Sequence, residues 1–158
     1  MIVYCNTTPI IALASVDRLH LLPELFGQIR APIAVIDECA AGGLIHVPSL
    51  FSMEWIIPGA DEFIEPSSIL MTLDRGEQQV LAQALIYGAD WVIIDERQGR
   101  RLAEYLGLKV TGTLGILVKA KTAGLIPSFR AEAEKMRKQG IFYHLGLIDR
   151  LASHIGEI

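Results

Sequence analysis

The sequence of 158 residues predicts an α/β fold in which helices cover both faces of a parallel β-sheet. Short apolar runs of strand length alternate with longer segments whose apolar residues recur at helical spacing. Strands separated by helices are typical of parallel sheets, because each parallel pair needs a long crossover connection. Hydrophobic residues make up 51% of the chain and its mean hydropathy is +0.39, which excludes intrinsic disorder. The length predicts a single domain over residues 1–158.

The predicted strands are short apolar runs that end at polar residues. The first covers residues 2–5 and ends at a polar turn, and the run 91–94 ends at Asp95. Residues 34–36 are predicted as a short strand, or as the lead-in to a helix that begins at Asp37. The remaining predicted strands are residues 55–57 and 109–110.

The clearest predicted helix runs from Asp74 to residue 87. Asp74 at the N-cap and Glu77 three residues later form a capping-box pattern, and Gly88 ends the helix. Residues 58–68, with two prolines and three acids, are predicted as a loop inside the domain. The other predicted helices are residues 9–15, 21–26, 37–41, 97–106, 114–123, 127–138 and 146–155.

The charge is modest overall and uneven along the chain. The formal net charge of −4 excludes a basic coat over the whole surface that would grip nucleic acid. Residues 1–79 carry three basic and ten acidic side chains, whereas residues 80–158 carry eleven and eight. This asymmetry indicates a charged ligand, or it arises from solvated faces that differ by chance.

The cysteines and the hydropathy pattern predict a cytoplasmic protein. Cys5 and Cys39 form no CxxC pair and no metal-ligand spacing with the histidines, so free thiols in a reducing compartment are expected. No basic leader precedes the first apolar run, and no apolar stretch approaches the roughly 18 residues that a membrane helix needs. We therefore expect a soluble protein without a membrane partner.

Polar residues follow the predicted strands, and parallel strands bring their carboxyl ends to one edge of the sheet. These residues are Asn6, Thr7, Glu38, Asp95 and Thr113, and Glu77 joins them from the start of a neighbouring helix. Carboxylates without Cys or His ligands are typical of Mg²⁺ or Mn²⁺ sites, where the cation also relieves their mutual repulsion. The alternative for each residue is an ordinary turn, cap or first-turn position of a helix.

Three arginines lie at helical spacing just after Asp95. Arg97, Arg100 and Arg101 are predicted to share one helix face, where they would meet the phosphates of a substrate at the carboxylate edge. The alternative is a solvated face on which Glu104 pairs with them. Other catalytic templates are missing, since the sequence contains no GxxxxGK[ST], GxGxxG, HExxH or GxSxG motif.

Five segments resemble the PIN domain superfamily, specifically a little-characterised prokaryotic PIN-like branch related to VapC-type toxin ribonucleases. Their order and spacing match that branch over most of the chain, and the last is its most distinctive signature. The segments are NTTPIIALASVDRLHLLPELFG, VIDEC, LDRGEQQVLAQAL, WVIIDERQGRRLAEYLGL and VTGTLGILVKAKTAGLIP.

The resemblance implies a three-layer α/β/α sandwich with a central parallel sheet of about five strands. It also implies an acidic site that binds Mg²⁺ or Mn²⁺ and cleaves single-stranded RNA, a small antitoxin partner and a homodimer. Carried over by position, the family's metal-binding carboxylates correspond to Glu38, Glu77 and Asp95, and its nearby polar groups to Thr7 and Thr113. Asn6 stands where the family usually has an aspartate as its first metal ligand. An Asn oxygen still coordinates Mg²⁺ but brings no negative charge.

Two functions from different classes follow. The first is a metal-dependent ribonuclease that is the toxin of a toxin–antitoxin pair, with Asn6 as a neutral metal ligand beside the three acids. The second is a catalytically silent PIN-like module that binds nucleic acid or a protein partner, and Asn6 favours it. A phosphatase-like enzyme ranks last, because Asn6 cannot serve as its nucleophile.

Overall fold

The computed structural model describes residues 1–59 and 64–157, and within them a single parallel sheet has five strands in the order β3-β2-β1-β4-β5. Every strand pairing is parallel, which confirms the predicted α/β/α architecture. The strands are β1 Val3–Cys5, β2 Ile29–Ala31, β3 Ile56–Pro58, β4 Trp91–Ile93 and β5 Val110–Thr111.

Helices connect the strands and cover the sheet. In chain order they are α1 Thr7–Ser15, α2 Leu21–Phe26, α3 Ile33–Ala40, α4 Arg75–Tyr87, α5 Arg97–Tyr105, α6 Thr113–Thr122, α7 Phe129–Lys138 and α8 Leu145–His154. There are also two short 3₁₀ turns: Leu50–Ser52 precedes β3, and Ser68–Leu70 follows it. None of the helices in the described part of the chain is long and apolar enough to cross a membrane.

The central strand β1 is apolar throughout because it is buried on both faces of the sheet. Val3 and Cys5 are fully buried, and Tyr4 is 1% exposed. Val3 pairs with Trp91 and Cys5 with Ile93 on the β4 side, and Tyr4 pairs with Arg30 on the β2 side. The chain builds outward from β1 through β2 and β3 on one side, and through β4 and β5 on the other. A crevice at the carboxyl ends of β1 and β4 is the expected ligand position in such a sheet.

The prediction of a strand at residues 34–36 is wrong, because these residues lie inside α3. Their apolar run belongs to a helix face, on which Val35, Ile36 and Cys39 are the buried residues. The second strand is β2, which begins five residues before the predicted start, and its central Arg30 interrupts the apolar pattern that would have identified it. The helix α3 therefore begins before Asp37, and Glu38 lies in its second turn rather than directly after a strand.

The other predicted elements differ from the structure by one or two residues at their ends. The predicted cap of α4 is confirmed, since Asp74 Oδ1 accepts a hydrogen bond of 2.9 Å from the Glu77 backbone N–H and Gly88 adopts the left-handed conformation at φ 76°. The helix α1 begins at Thr7, with Asn6 at its N-cap, instead of at Pro9. In the predicted loop 58–68, residues 60–63 lie outside the described residues, and Ser68 begins a 3₁₀ turn.

Candidate functional site

The site lies at the carboxyl edge of the sheet, where β1 and β4 end side by side. The backbone N–H of Asn6 donates to the carbonyl oxygen of Ile93 at 2.9 Å, which fixes Asn6 against the end of β4. On the other side of β4, the N–H of Ile94 donates to the carbonyl oxygen of Thr111 at 2.9 Å. Asp95 follows Ile94 and therefore lies between the β1 side and the β5 side of this edge.

On the β1 side, Asn6, Thr7 and Glu38 come together against Gly76. The Thr7 hydroxyl donates to Glu38 Oε2 at 2.7 Å, which joins the start of α1 to α3. Gly76, in the first turn of α4, makes this approach possible. A Cβ there would lie 2.8 Å from Glu38 Oε1 and 3.2 Å from Asn6 Oδ1. We call Asn6, Thr7, Glu38 and Gly76 the β1-side cluster.

The side-chain oxygen of Asn6 is buried and has no hydrogen-bond partner among the described residues. Asn6 is 4% exposed and does not cap α1 with its side chain, although it occupies the N-cap position. A buried polar atom without a partner costs about 1–3 kcal/mol, so such an atom calls for an explanation. Because this oxygen lies beside the Glu38 carboxylate, a cation is its simplest partner, since both groups coordinate metals through oxygen.

Glu77 belongs to α4, and its carboxyl lies beside Gly99 of α5. It is 5% exposed, and its pKa is raised to about 7, first by burial and then by the nearby Asp74 carboxylate. The Asp74 backbone N–H acts in the opposite direction, whereas the charges of Glu96 and Glu38 raise the pKa further. Glu77 thus completes the capping box, and the charge of Glu38 acts on its pKa, so its cap role and a site role are both compatible with the geometry.

On the β5 side, Asp95 is held by three hydrogen bonds. Its Oδ1 accepts from the Thr113 backbone N–H at 2.7 Å, and its Oδ2 accepts from the Thr113 hydroxyl at 2.7 Å and from the Tyr143 hydroxyl at 2.8 Å. Burial and then the Asp95 charge raise the pKa of Tyr143 well above its ordinary value, so the phenol stays a donor. Sequence reasoning missed Tyr143, because a single aromatic residue before α8 carries no spacing signal.

The three arginines do not share one environment. Arg100 is half-buried, and its Nη1 donates to the carbonyl oxygen of Ile94 at 3.1 Å, which brings it next to Asp95. Arg97 and Arg101 are exposed on α5, and no hydrogen bond or ion pair found among the described residues involves them. Of these three arginines, only Arg100 therefore lies at the candidate site.

The donor set fits a hard divalent cation, but it is not closed around one. Within residues 1–59 and 64–157, no three His, Cys, Asp or Glu side chains are close enough together to hold a metal ion. The unpartnered Asn6 oxygen and the Glu38 carboxylate supply two hard ligands beside Gly76, and the Glu38 charge acts on the pKa of Glu77. A cation at the β1-side cluster would have to draw Glu77 or Asp95 toward it.

Comparison with known proteins agrees with the fold. A family model described as a PIN domain matches residues 2–157, which is nearly the whole chain. Among curated proteins, none matches this sequence.

Proposed function

Because the chain belongs to the PIN domain family, whose members generally use divalent metal ions in nuclease-type functions, we propose that it is a metal-dependent ribonuclease that cleaves single-stranded RNA. The observation that carries the proposal is the buried, unpartnered Oδ1 of Asn6 held beside Glu38 at the carboxyl edge of β1. This is the edge at which open α/β sheets bind ligands.

The proposed metal is Mg²⁺ or Mn²⁺, held by Asn6 and Glu38 with Glu77 and Asp95 as further ligands. When bound, the cation supplies Lewis-acid stabilisation of the phosphodiester and lowers the pKa of a water molecule. With one neutral amide among its ligands the site has less negative charge than a site of four acids, so affinity in the millimolar range is expected.

The chain's own residues orient and tune these ligands. Thr7 fixes one oxygen of Glu38 and leaves Oε1 toward Asn6 and Gly76. Thr113 and Tyr143 fix both oxygens of Asp95. Because the pKa of Glu77 is raised to about 7 by burial and by the Asp74 charge, its carboxyl gives up its proton near neutral pH. Metal affinity is therefore expected to rise with pH through that range.

Arg100 is the proposed contact to the RNA strand. Its guanidinium lies beside Asp95, on the cavity that opens from the site.

We further propose the role of the toxin in a toxin–antitoxin pair, with a small antitoxin partner and a homodimeric assembly. The likeness of the five segments to the toxin-related PIN branch supports this role. In the expected outcome, induced expression of the parent chain in a bacterial host arrests growth, and expression of Glu38→Gln at the same level does not. Equal arrest by both proteins would contradict it.

A catalytically silent module that binds RNA or a protein is the second candidate. It is favoured by the neutral side chain at Asn6 and by the open arrangement of the three acids within the described chain. The two candidates differ in whether RNA is cut.

The deciding experiment measures Mn²⁺-dependent cleavage of a mixed-sequence, end-labelled single-stranded RNA. Glu38→Gln removes one charge from an exposed side chain at the site, and Asp37→Asn removes the same charge from its exposed neighbour on α3. The ribonuclease proposal expects cleavage by the parent and Asp37→Asn, and a loss of at least roughly a hundredfold in Glu38→Gln. Equal cleavage by all three proteins would point to a contaminant and contradict the proposal.

A further inference from the structure

A cavity of about 330 Å³ opens beside Asp95 on the β5 side of the site. Its volume lies at the lower end of the range for small-molecule pockets, roughly 300–1,000 Å³. Residues from the end of β5, the start of α6, the loop before α8 and α8 itself form its walls. We call it the Tyr143 cavity, after the side chain that joins it to Asp95.

Most of the wall is apolar. Leu147 and Leu151 lie one turn apart on α8 and face the cavity, and Leu114 of α6 and the body of Tyr143 complete this part. Leu147 remains 37% exposed, so part of this apolar wall is open to solvent. Walls of this kind favour a flat, weakly polar ring over a charged group. A ring removes the apolar wall from contact with water, whereas an ion would lose its hydration there.

The polar groups of the cavity are few and gathered at one end. Arg100 and the Tyr143 hydroxyl lie next to Asp95, and the Thr111 side chain adds a further polar group. Two glycines keep this end open. A Cβ on Gly112 would lie 2.6 Å from Arg100 Nη1 and 2.8 Å from Asp95 Oδ1, and a Cβ on Gly115 would collide with the Thr111 hydroxyl.

We propose that the Tyr143 cavity is a subsite for one unpaired nucleobase of the RNA strand, with the base between Tyr143 and the leucines of α8. The inference rests on the proposed function, because Asp95 belongs both to the cavity and to the candidate metal site. Arg100 donates to the carbonyl or ring-nitrogen acceptors of the base edge. A base enters such a cavity most easily from a single strand, where it is free to leave its neighbours.

A bare phosphate fits the same cavity less well. Arg100, the one cation that lines it among the described residues, lies beside the Asp95 carboxylate, whose charge opposes a second anion. A phosphate would also leave Leu114, Leu147 and Leu151 uncovered. In this proposal the base binds in the Tyr143 cavity, and the phosphodiester attached to it lies at the neighbouring carboxylates.

The test measures binding of uridine 5′-monophosphate by ligand-observed NMR in EDTA, so that neither metal nor cleavage is needed. Ribose 5-phosphate, which has the same sugar and phosphate without a base, is the comparison ligand. Leu147→Trp fills the mouth of the cavity, and Leu145→Trp makes the same change on the same helix at a 50% exposed position outside it. The parent and Leu145→Trp should bind the nucleotide at least roughly tenfold more tightly than ribose 5-phosphate, and Leu147→Trp should lose this difference.

Equal binding of the two ligands by the parent, no binding of either, or unchanged binding in Leu147→Trp would overturn the subsite. If Leu147→Trp unfolds, Arg100→Gln takes its place and should weaken nucleotide binding in the same assay. Failure of the proposed nuclease function would give a different result from failure of the subsite. A parent that binds the nucleotide but never cleaves RNA contradicts the nuclease and supports the subsite, whereas a cleaving parent without nucleotide binding does the reverse.

Discussion

The hydroxyl of Thr7 donates a hydrogen bond of 2.7 Å to Oε2 of Glu38, although Thr7 is buried and Glu38 is exposed to solvent. The bond holds the long Glu38 side chain at the end of the central strand β1. It also leaves the other carboxylate oxygen next to Gly76 and Asn6. In the proposed metal site, Thr7 is therefore a positioning residue that orients the Glu38 carboxylate.

Replacing Thr7 by Val keeps its shape and removes the donor. We expect Mn²⁺ affinity, measured by isothermal titration calorimetry, to fall roughly tenfold, because partners of this kind orient metal ligands. Thr7→Ser retains a hydroxyl and should restore most of the affinity. A Thr7→Val protein that binds Mn²⁺ like the parent would show that the hydrogen bond does not position Glu38 for the metal.

Replacing Asn6 by Asp adds a charge to the β1-side cluster. Without metal the new carboxylate is buried next to Glu38, so the melting temperature in EDTA should fall below that of the parent. With Mn²⁺ the order should reverse, since affinity rises by roughly tenfold with the added ligand charge and ligand binding stabilises the folded state. Thermal melts of both proteins at several Mn²⁺ concentrations check this. A variant that is destabilised equally with and without metal would contradict it.

Glu77 should make stability depend on pH between its two pKa values. In the folded chain burial and the Asp74 charge raise the pKa of Glu77 to about 7 from an ordinary value of 4.5, so the folded state holds a proton that the unfolded chain has lost. Stability therefore decreases as pH rises from 4.5 to about 7 and then levels off. Glu77→Gln keeps an acceptor for the cap and removes the charge.

The measurement is the melting temperature of the parent and Glu77→Gln in EDTA from pH 4.5 to 8. The variant should gain on the parent as pH rises and keep that gain above pH 7. Glu104→Gln, which changes an exposed acid on α5, is the control and should follow the parent at every pH. Parallel curves for the parent and Glu77→Gln would contradict a raised pKa.

Cys5 and Cys39 should be unreactive in the folded protein. Both are buried, and burial followed by the charge of Glu38 raises the pKa of Cys39 to about 12, while burial raises the pKa of Cys5 well above its ordinary value. Since the thiolate is the reactive form, a disulfide reagent at pH 8 should react slowly until denaturant is added and then count two thiols. Rapid reaction of one thiol in the native protein would contradict this, and Cys39→Ala would identify which one.

The fold was predictable wherever a local pattern and a tertiary role agreed. The helix α4 shows this, because Asp74, Glu77 and Gly88 form its two caps in the order that the sequence indicates. The strand β2 shows the opposite. Its central Arg30 breaks the apolar run, and the better run that follows belongs to the buried face of α3. Pairing with β1 decides that strand, and pairing is a long-range property that a local window does not contain.

In the candidate site, the position of single residues at the sheet edge was predictable, and their arrangement was less so. Position after a strand was enough to select Asn6 and Asp95, and these do lie at one edge of the sheet. The orientation of the Asp95 carboxylate depends on hydrogen bonds from Thr113 and from Tyr143, which is 48 residues away in sequence. The burial of Arg100 beside Asp95 likewise follows from the small size of Gly112, which no periodicity reveals.

The central claim is that this chain is a nuclease that works with Asn6 in place of an acid. The most direct measurement is the initial rate of single-stranded RNA cleavage against Mn²⁺ concentration, for the parent, Asp95→Ala and Asn6→Asp. We expect a parent rate that saturates with Mn²⁺ and is lost in EDTA, no cleavage by Asp95→Ala, and saturation of Asn6→Asp at lower Mn²⁺. A parent that stays silent at every Mn²⁺ concentration while Asn6→Asp cleaves would contradict it, and would mean that the parent keeps the scaffold and lacks the chemistry.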